Sequence, residues 1–88
     1  MRGVKMKRIK NRDIHKGQNI TGATIKRKRE AAGLSQLQLS QQLETMAIYV
    51  CRGSISRIEN GSRLVSDIEL KGIAEVLKVP IEELFEGE

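Results

Sequence analysis

The sequence predicts an all-α fold, a compact bundle of five short helices, and three observations carry that expectation. Between residues 21 and 88 the apolar positions recur at helical spacing and nowhere alternate as a strand would require. Two stretches, "SQLQ" at 35–38 and "SDIE" at 66–69, have the Ser-x-x-Gln/Glu form of a capping box, which opens a helix. Two others, "AAG" at 31–33 and "ENG" at 59–61, end in the glycine that commonly closes one. Eighty-eight residues make one small domain, and with one Phe, one Tyr and no Trp its core must be aliphatic.

Taken in order, residues 1–20 have no sustained period and end in the glycine-centred break "HKGQN". They read as a basic, flexible N-terminal arm, with a short strand around Val4–Ile9 as the alternative, and the folded domain is expected over 21–88. The first helix begins near Thr21, places Ile25 inward and carries the bases Lys26–Arg29 before Gly33 stops it. The second opens at Ser35. Leu39, Leu43, Met46 and Val50 form one stripe at i, i+4, i+7 and i+11, so it is expected to run to about Met46–Tyr49. The third covers about 52–60, with Ile55 and Ile58 inward and Asn60-Gly61 as its stop. Its entry is poorly made, because Cys51 stands where a better cap such as Ser is expected and Gly53 costs about 1 kcal/mol relative to Ala in a helix. Ile68, Ile73, Val76 and Leu77 line the fourth. Pro80 suits the entry of a fifth, "PIEELF", with Ile81, Leu84 and Phe85 packed inward.

Composition excludes several function classes. The longest apolar run, Ala47–Cys51, is far short of a membrane span, and the basic N-terminus lacks the apolar segment of a signal peptide. One cysteine builds no intramolecular disulfide, so a cytoplasmic location is expected. With one Cys and one His (His15) no metal cluster and no cofactor site are expected. No nucleophile–base pair or phosphate loop suggests an enzyme. The net charge of +5 is unevenly spread. Residues 1–20 hold Arg2, Lys5, Lys7, Arg8, Lys10, Arg12 and Lys16 against Asp13, whereas residues 64–88 hold seven acids against Lys71 and Lys78. Composition alone leaves two readings open, a face turned to a polyanion or an ordinary solvated surface.

Two short helices joined by a turn, the second bearing exposed polar and basic side chains, fit the major groove of duplex DNA. On the third helix the outward positions are Arg52, Gly53, Ser56 and Arg57. Arginine bonds guanine bidentately there, and the free N–H groups at Ser35-Gln36 suit a phosphate. Lys26, Arg27 and Lys28 read as solvated charges unless DNA passes close to the first helix.

The runs "GLSQLQLSQQL", "ISRIENGSR" and "DIELKGIAEVLKVPIEELF" together resemble the phage-repressor-like (lambda-repressor-like, Xre-type) helix-turn-helix family over roughly residues 22–85. The resemblance puts a helix-turn-helix at about 35–60 and implies roles for single positions. Gln36 would contact a phosphate and buttress the reading helix. Arg52, Gly53, Ser56 and Arg57 would face the bases. Asn60, Ser62 and Arg63 would touch the backbone, and Arg29 would pair with Glu59 while lying near a phosphate. The stretch "ETMAIYVCRGS" is about five residues longer than the common form. It resembles a branch with a lengthened second helix and turn, and one extra helical turn is the expected accommodation.

The expected function is therefore a sequence-specific DNA-binding transcriptional regulator, a repressor that acts as a homodimer on a palindromic operator, cytoplasmic and nucleoid-associated. The alternatives are an antitoxin that regulates its own operon and binds a toxin, or a protein–protein adaptor meeting a partner such as polymerase. The resemblance favours the C-terminal region for self-association.

Overall fold

The computed structural model describes residues 17–86 of the chain, and within them four α-helices follow one another: α1 Gly22–Ala31, α2 Gln36–Glu44, α3 Arg52–Glu59 and α4 Asp67–Leu77. A five-residue 3-10 helix, Ile81–Phe85, closes the chain where a fifth α-helix was expected. Pro80 does open it, in an extended conformation, but the segment makes only one tight turn before Glu86. The arm read over 1–20, and the strand alternative at Val4–Ile9, lie outside the described residues except for Gly17–Ile20.

Both capping boxes open helices as the sequence predicts. Ser35 Oγ accepts the Gln38 N–H at 3.0 Å while Gln38 Oε1 accepts the Ser35 N–H at 2.8 Å. Ser66 and Glu69 make the same reciprocal pair at 3.1 and 3.0 Å. Each satisfies two helix-end donors that would otherwise need water.

All four helices end in the same way. A residue with positive φ (Gly33, Ala47, Gly61 or Lys78) follows the last turn. The N–H groups there fold back in the paired bonds of a Schellman motif, for example Ile48 N–H to the Leu43 carbonyl at 3.0 Å and Ala47 N–H to the Glu44 carbonyl at 2.9 Å. This corrects the expected length of the second helix. It stops at Glu44, and the additional residues form an irregular turn over 45–51. The cause lies across the core. Gly72 of α4 leaves room that Ile48 fills: a Cβ on Gly72 would stand 2.5 Å from Ile48 Cδ1 and 3.1 Å from Leu43 Cδ2. Seating Ile48 there turns the chain away from the helix axis, and Ser40 Oγ, donating to the Val50 carbonyl at 2.7 Å, fixes the return.

Ile25, Leu39, Leu43, Ile55, Ile58, Ile73 and Leu84 are essentially without solvent exposure and form one aliphatic core, flanked by Val50, Leu70, Ala74 and Leu77. At about 25 cal/mol per Å² of apolar surface removed from water, such side chains supply the driving force for folding. Three inward assignments do not hold. Ile68 is 67% exposed, and Ile81 and Phe85 are 38% and 48% exposed. Ile68 sits in the first turn of α4 on the side away from Leu70 and Ile73. In a 3-10 helix, residues three apart stack on one face, so Ile81 shares the side of the buried Leu84 and is the better covered of the two, while Phe85 is turned aside. Among the described residues no helix is long and apolar enough to cross a membrane.

Helix α1 lies with its first turn directly on the end of α3. A Cβ on Gly22 would come 2.1 Å from the Ile58 carbonyl oxygen and 3.0 Å from that of Glu59, so only glycine fits. This contact, with α2 packed on the other side of α3, holds the third helix by its inner face and leaves its outer face free.

Candidate nucleic-acid interface

Helix α3 is held by Ile55 and Ile58, both about 1% exposed, and by the buried Glu59. Its opposite side is presented to solvent: Arg52, Gly53 and Arg57 are exposed and Ser56 is half-buried. The Arg57 guanidinium lies back along the helix, with Nη2 donating to Ser54 Oγ at 3.1 Å. Gly53 lies beside it: a Cβ there would stand 3.7 Å from Arg57 Nη1, an ordinary van der Waals contact. The family resemblance implies a base-facing position for Gly53, which has no side chain to offer; in the structure it is exposed beside Arg57.

The inner end of α3 is fixed by a network joining three helices. Glu59 accepts from Arg29 Nε at 2.6 Å and Arg29 Nη2 at 3.0 Å. Arg29 Nη1 donates to the Leu34 carbonyl at 2.7 Å, and Gln36 Nε2 donates to Glu59 Oε1 at 3.0 Å. The Glu59 hydrogen bond holds the Arg29 pKa above its ordinary value despite burial. Gln36 thus buttresses α3 directly from the start of α2. Arg29 is buried, and three of its five N–H donors are engaged on Glu59 and Leu34.

A family model described as helix-turn-helix matches residues 25–84, and this span takes in α2, the turn, α3, α4 and the closing 3-10 helix. The chain belongs to the Xre/lambda-repressor-like helix-turn-helix family. No curated protein and no solved structure gives a match. Members of this helix-turn-helix family are DNA-binding transcription regulators, and the chain is one of that type.

In helix-turn-helix terms α2 is the first helix, 45–51 the turn and α3 the second, reading helix. The remaining predicted contacts are placed as follows. Asn60 and Ser62 bind each other after α3, with Asn60 Oδ1 accepting the Ser62 N–H at 3.0 Å and its hydroxyl at 2.7 Å. Arg63 forms a bidentate ion pair with Glu69, Nη1 to Oε1 at 3.0 Å and Nη2 to Oε2 at 3.1 Å, and donates to the Leu64 carbonyl at 2.8 Å. Glu69 therefore raises the Arg63 pKa, and Arg63 holds the Glu69 carboxyl below its usual range. Its guanidinium is already engaged on a carboxylate, whereas that of Arg57 makes only the single bond to the Ser54 hydroxyl.

Two features escape sequence reasoning. Lys26 of α1 borders one recess with Gln36, Ser56 and Asn60, which joins it to the reading face rather than to a remote solvated surface. A signal for this exists in the spacing, because Lys26 follows the buried Ile25 and precedes Arg29 by three, on the side from which Arg29 reaches α3. The other feature is the setting of the Cys51 thiol: at the N-cap position read from the sequence it is exposed, and hydrogen bonding with the Ser54 side chain and backbone holds its pKa below the ordinary value.

Proposed function

We propose that the chain is a sequence-specific repressor that inserts α3 into the major groove and reads bases with Arg52, Ser56 and Arg57. The observation that supports this most directly is the division of α3. Its inner face is immobilised by Ile55, Ile58 and the Arg29–Glu59–Gln36 network, while its outer face carries two exposed arginines. Pre-organised side chains on a rigid element lose little freedom on binding. Lys26, Asn60, Ser62 and the N–H groups at the start of α2 surround that face as phosphate contacts, with Arg63 as a further contact if it exchanges Glu69 for phosphate. Gly53 admits the close approach of bases.

A two-fold related operator requires a second copy of the chain, and half-sites about one helical turn apart are expected. Repression follows from occupying a promoter.

The test is selection from random duplex DNA with the wild-type chain and Arg57→Ala side by side. The expected result is a palindromic motif that loses information at one position per half-site in the variant, with discrimination there reduced by about 1–3 kcal/mol. A folded chain that enriches no motif at moderate salt would overturn the proposal.

A further inference from the structure

Tyr49 is the most exposed large apolar side chain among the described residues, at 76%, yet the chain on either side of it is fixed. Ile48 before it is seated over Gly72, and its N–H donates to the Leu43 carbonyl at 3.0 Å. Val50 after it is buried, and its carbonyl accepts from Ser40 Oγ at 2.7 Å. Two inward neighbours in non-helical chain leave the residue between them facing out. The exposure of Tyr49 is thus imposed by the packing of the turn, in the stretch whose extra length sets this chain apart from the common form of its family.

The outward position lies beside the entry of the reading helix. Tyr49 precedes Cys51, the N-cap of α3, by two residues, which span at most about 7 Å. It shares one recess with Cys51 and Ser54 on the α3 side and with Ser40 and Glu44 on the α2 side. Ser54 Oγ in turn accepts from Arg57 Nη2 at 3.1 Å, so Tyr49, Ser54 and Arg57 form a continuous edge at the N-terminal end of α3. A helix with its side chains is about 10–12 Å across, and the major groove is about 12 Å wide. A reading helix therefore fills the groove, and a side chain that projects beside its entry meets the wall, where deoxyribose C–H groups alternate with phosphate oxygens. Tyrosine suits such a surface. Its ring covers apolar atoms while its hydroxyl donates a hydrogen bond.

We infer that Tyr49 is a DNA-contacting residue: its ring lies along a deoxyribose of the groove wall, its hydroxyl donates to the adjoining phosphate, and the contact sets how far α3 enters. The Glu44 carboxylate keeps that phosphate on the α3 side of the recess, since like charges repel. The inference rests on the DNA-reading role proposed above and deepens it. A contact to the backbone positions the protein and carries no sequence information directly, so Tyr49 adds affinity without changing the motif. Its hydroxyl is neutral and displaces no counterion, so it leaves the salt dependence as it is. The first property separates Tyr49 from Arg57, the second from Lys26.

The experiment uses the full-length chain as wild type, Tyr49→Phe and Tyr49→Ala, with circular dichroism to verify that the variants melt with the wild type. Tyr49 is the chain's one tyrosine, and there is no tryptophan, so intrinsic fluorescence reports this position alone in the wild-type chain. Saturation with the selected operator is expected to reduce its quenching by acrylamide several-fold. Tyr49→Ala should bind operator about tenfold more weakly per half-site and Tyr49→Phe about threefold. Both should select the wild-type motif and keep the wild-type slope of log K against log salt. Replacing operator phosphates singly with uncharged methylphosphonate should reveal one phosphate per half-site at which the wild type loses more affinity than Tyr49→Phe.

A tyrosine as open to acrylamide with operator as without it, in a chain whose Tyr49→Ala form binds normally, would overturn the inference and leave recognition by α3 intact. A protected tyrosine whose removal alters the selected motif would make it a base reader and overturn the wall contact. Protection by random duplex, in a chain that enriches no motif, would support the contact and sink the specific-reader proposal. A folded chain that binds no duplex at all would overturn both.

Discussion

Glu59 and Arg29 form a bidentate pair with nitrogen–oxygen separations of 2.6 and 3.0 Å, and both residues are 7% exposed. Each remaining contact of the pair also has a purpose, with Leu34 receiving the third arginine bond and Gln36 adding a bond to the carboxylate. A buried pair of this kind is worth little against a well-packed apolar replacement, yet removing one member leaves a desolvated charge without its partner. Glu59→Ala is therefore expected to lower stability by about 3–5 kcal/mol. In thermal unfolding followed by circular dichroism this should lower Tm by more than about 10 °C for a domain of this size. The double change Arg29→Met/Glu59→Leu should regain most of that stability and still bind DNA less well, because Gln36 loses its anchor on α3. A single Glu59→Ala that unfolds at the wild-type temperature would rule out a structural role for the pair.

The Arg63–Glu69 pair gives a pH-dependent contribution whose sign follows from the carboxylate. Arg63 donates to Glu69, and the Ser66 N–H adds a weaker bond, so the folded-state pKa of Glu69 lies below its unfolded value. A depressed carboxylate stabilises the fold above the unfolded value of about 4.3, and that contribution disappears as pH falls through the lower folded value. Glu69→Gln isolates the charge, because Gln at this position keeps the capping box, as Gln38 does at the start of α2. The pair is only partly buried, with side chains 30% and 17% exposed, so after screening the difference should be about 1 kcal/mol at pH 7. Urea unfolding of wild type and variant is expected to differ at pH 7 and to converge only as pH falls from the unfolded carboxylate value, about 4.3, through the lower folded value. A difference that persists into acid would assign the effect to packing.

The helix ends show how much the sequence disclosed. Gly33 and Gly61 mark two stops because glycine adopts positive φ without penalty, and both were legible. Ala47 and Lys78 occupy the same place in identical motifs, but no glycine announces them. The extent of α2 was misjudged for that reason: Met46 and Val50 continue its apolar stripe, and only the seat of Ile48 over Gly72, on a helix 24 residues further along, ends it. The outer face of α3 was readable because Ile55 and Ile58 fix its inner one. Asn19 was not: its Nδ2 donates to the Ile58 and Arg63 carbonyls, 39 and 44 residues away, and an asparagine in the break "KGQN" reads simply as loop.

The two non-glycine positions yield a prediction of opposite sign to most substitutions. Ala47 at φ 61° and Lys78 at φ 60° each pay the left-handed cost, about 1–2 kcal/mol for an L-residue. Glycine removes that cost and loses part of the gain to the greater freedom of the unfolded chain. Ala47→Gly and Lys78→Gly are each expected to raise stability by about 0.5–1 kcal/mol, and because the two helix ends share no hydrogen-bond partner the effects should add. Denaturant midpoints with unchanged m-values provide the measurement, and a loss in both variants would contradict the helix-end geometry.

Cys51 offers a direct report on where DNA lies. It is exposed at the N-cap of α3, three residues before Ser54, and hydrogen bonding with the Ser54 side chain and backbone lowers its thiol pKa. A lowered pKa means thiolate at lower pH, so alkylation of the free protein by iodoacetamide should rise earlier along the pH axis than for an ordinary thiol. Ser54→Ala removes the hydroxyl and should move that rise to higher pH. If α3 enters the groove by its N-terminal half, where Arg52 and the Arg57 guanidinium both lie, bound duplex covers the thiol. Saturating the wild-type chain with selected operator should then slow alkylation several-fold, and random duplex at the same salt should slow it less. Equal rates with and without operator, under conditions where binding is verified, would place the DNA on another face and remove α3 as the reading element.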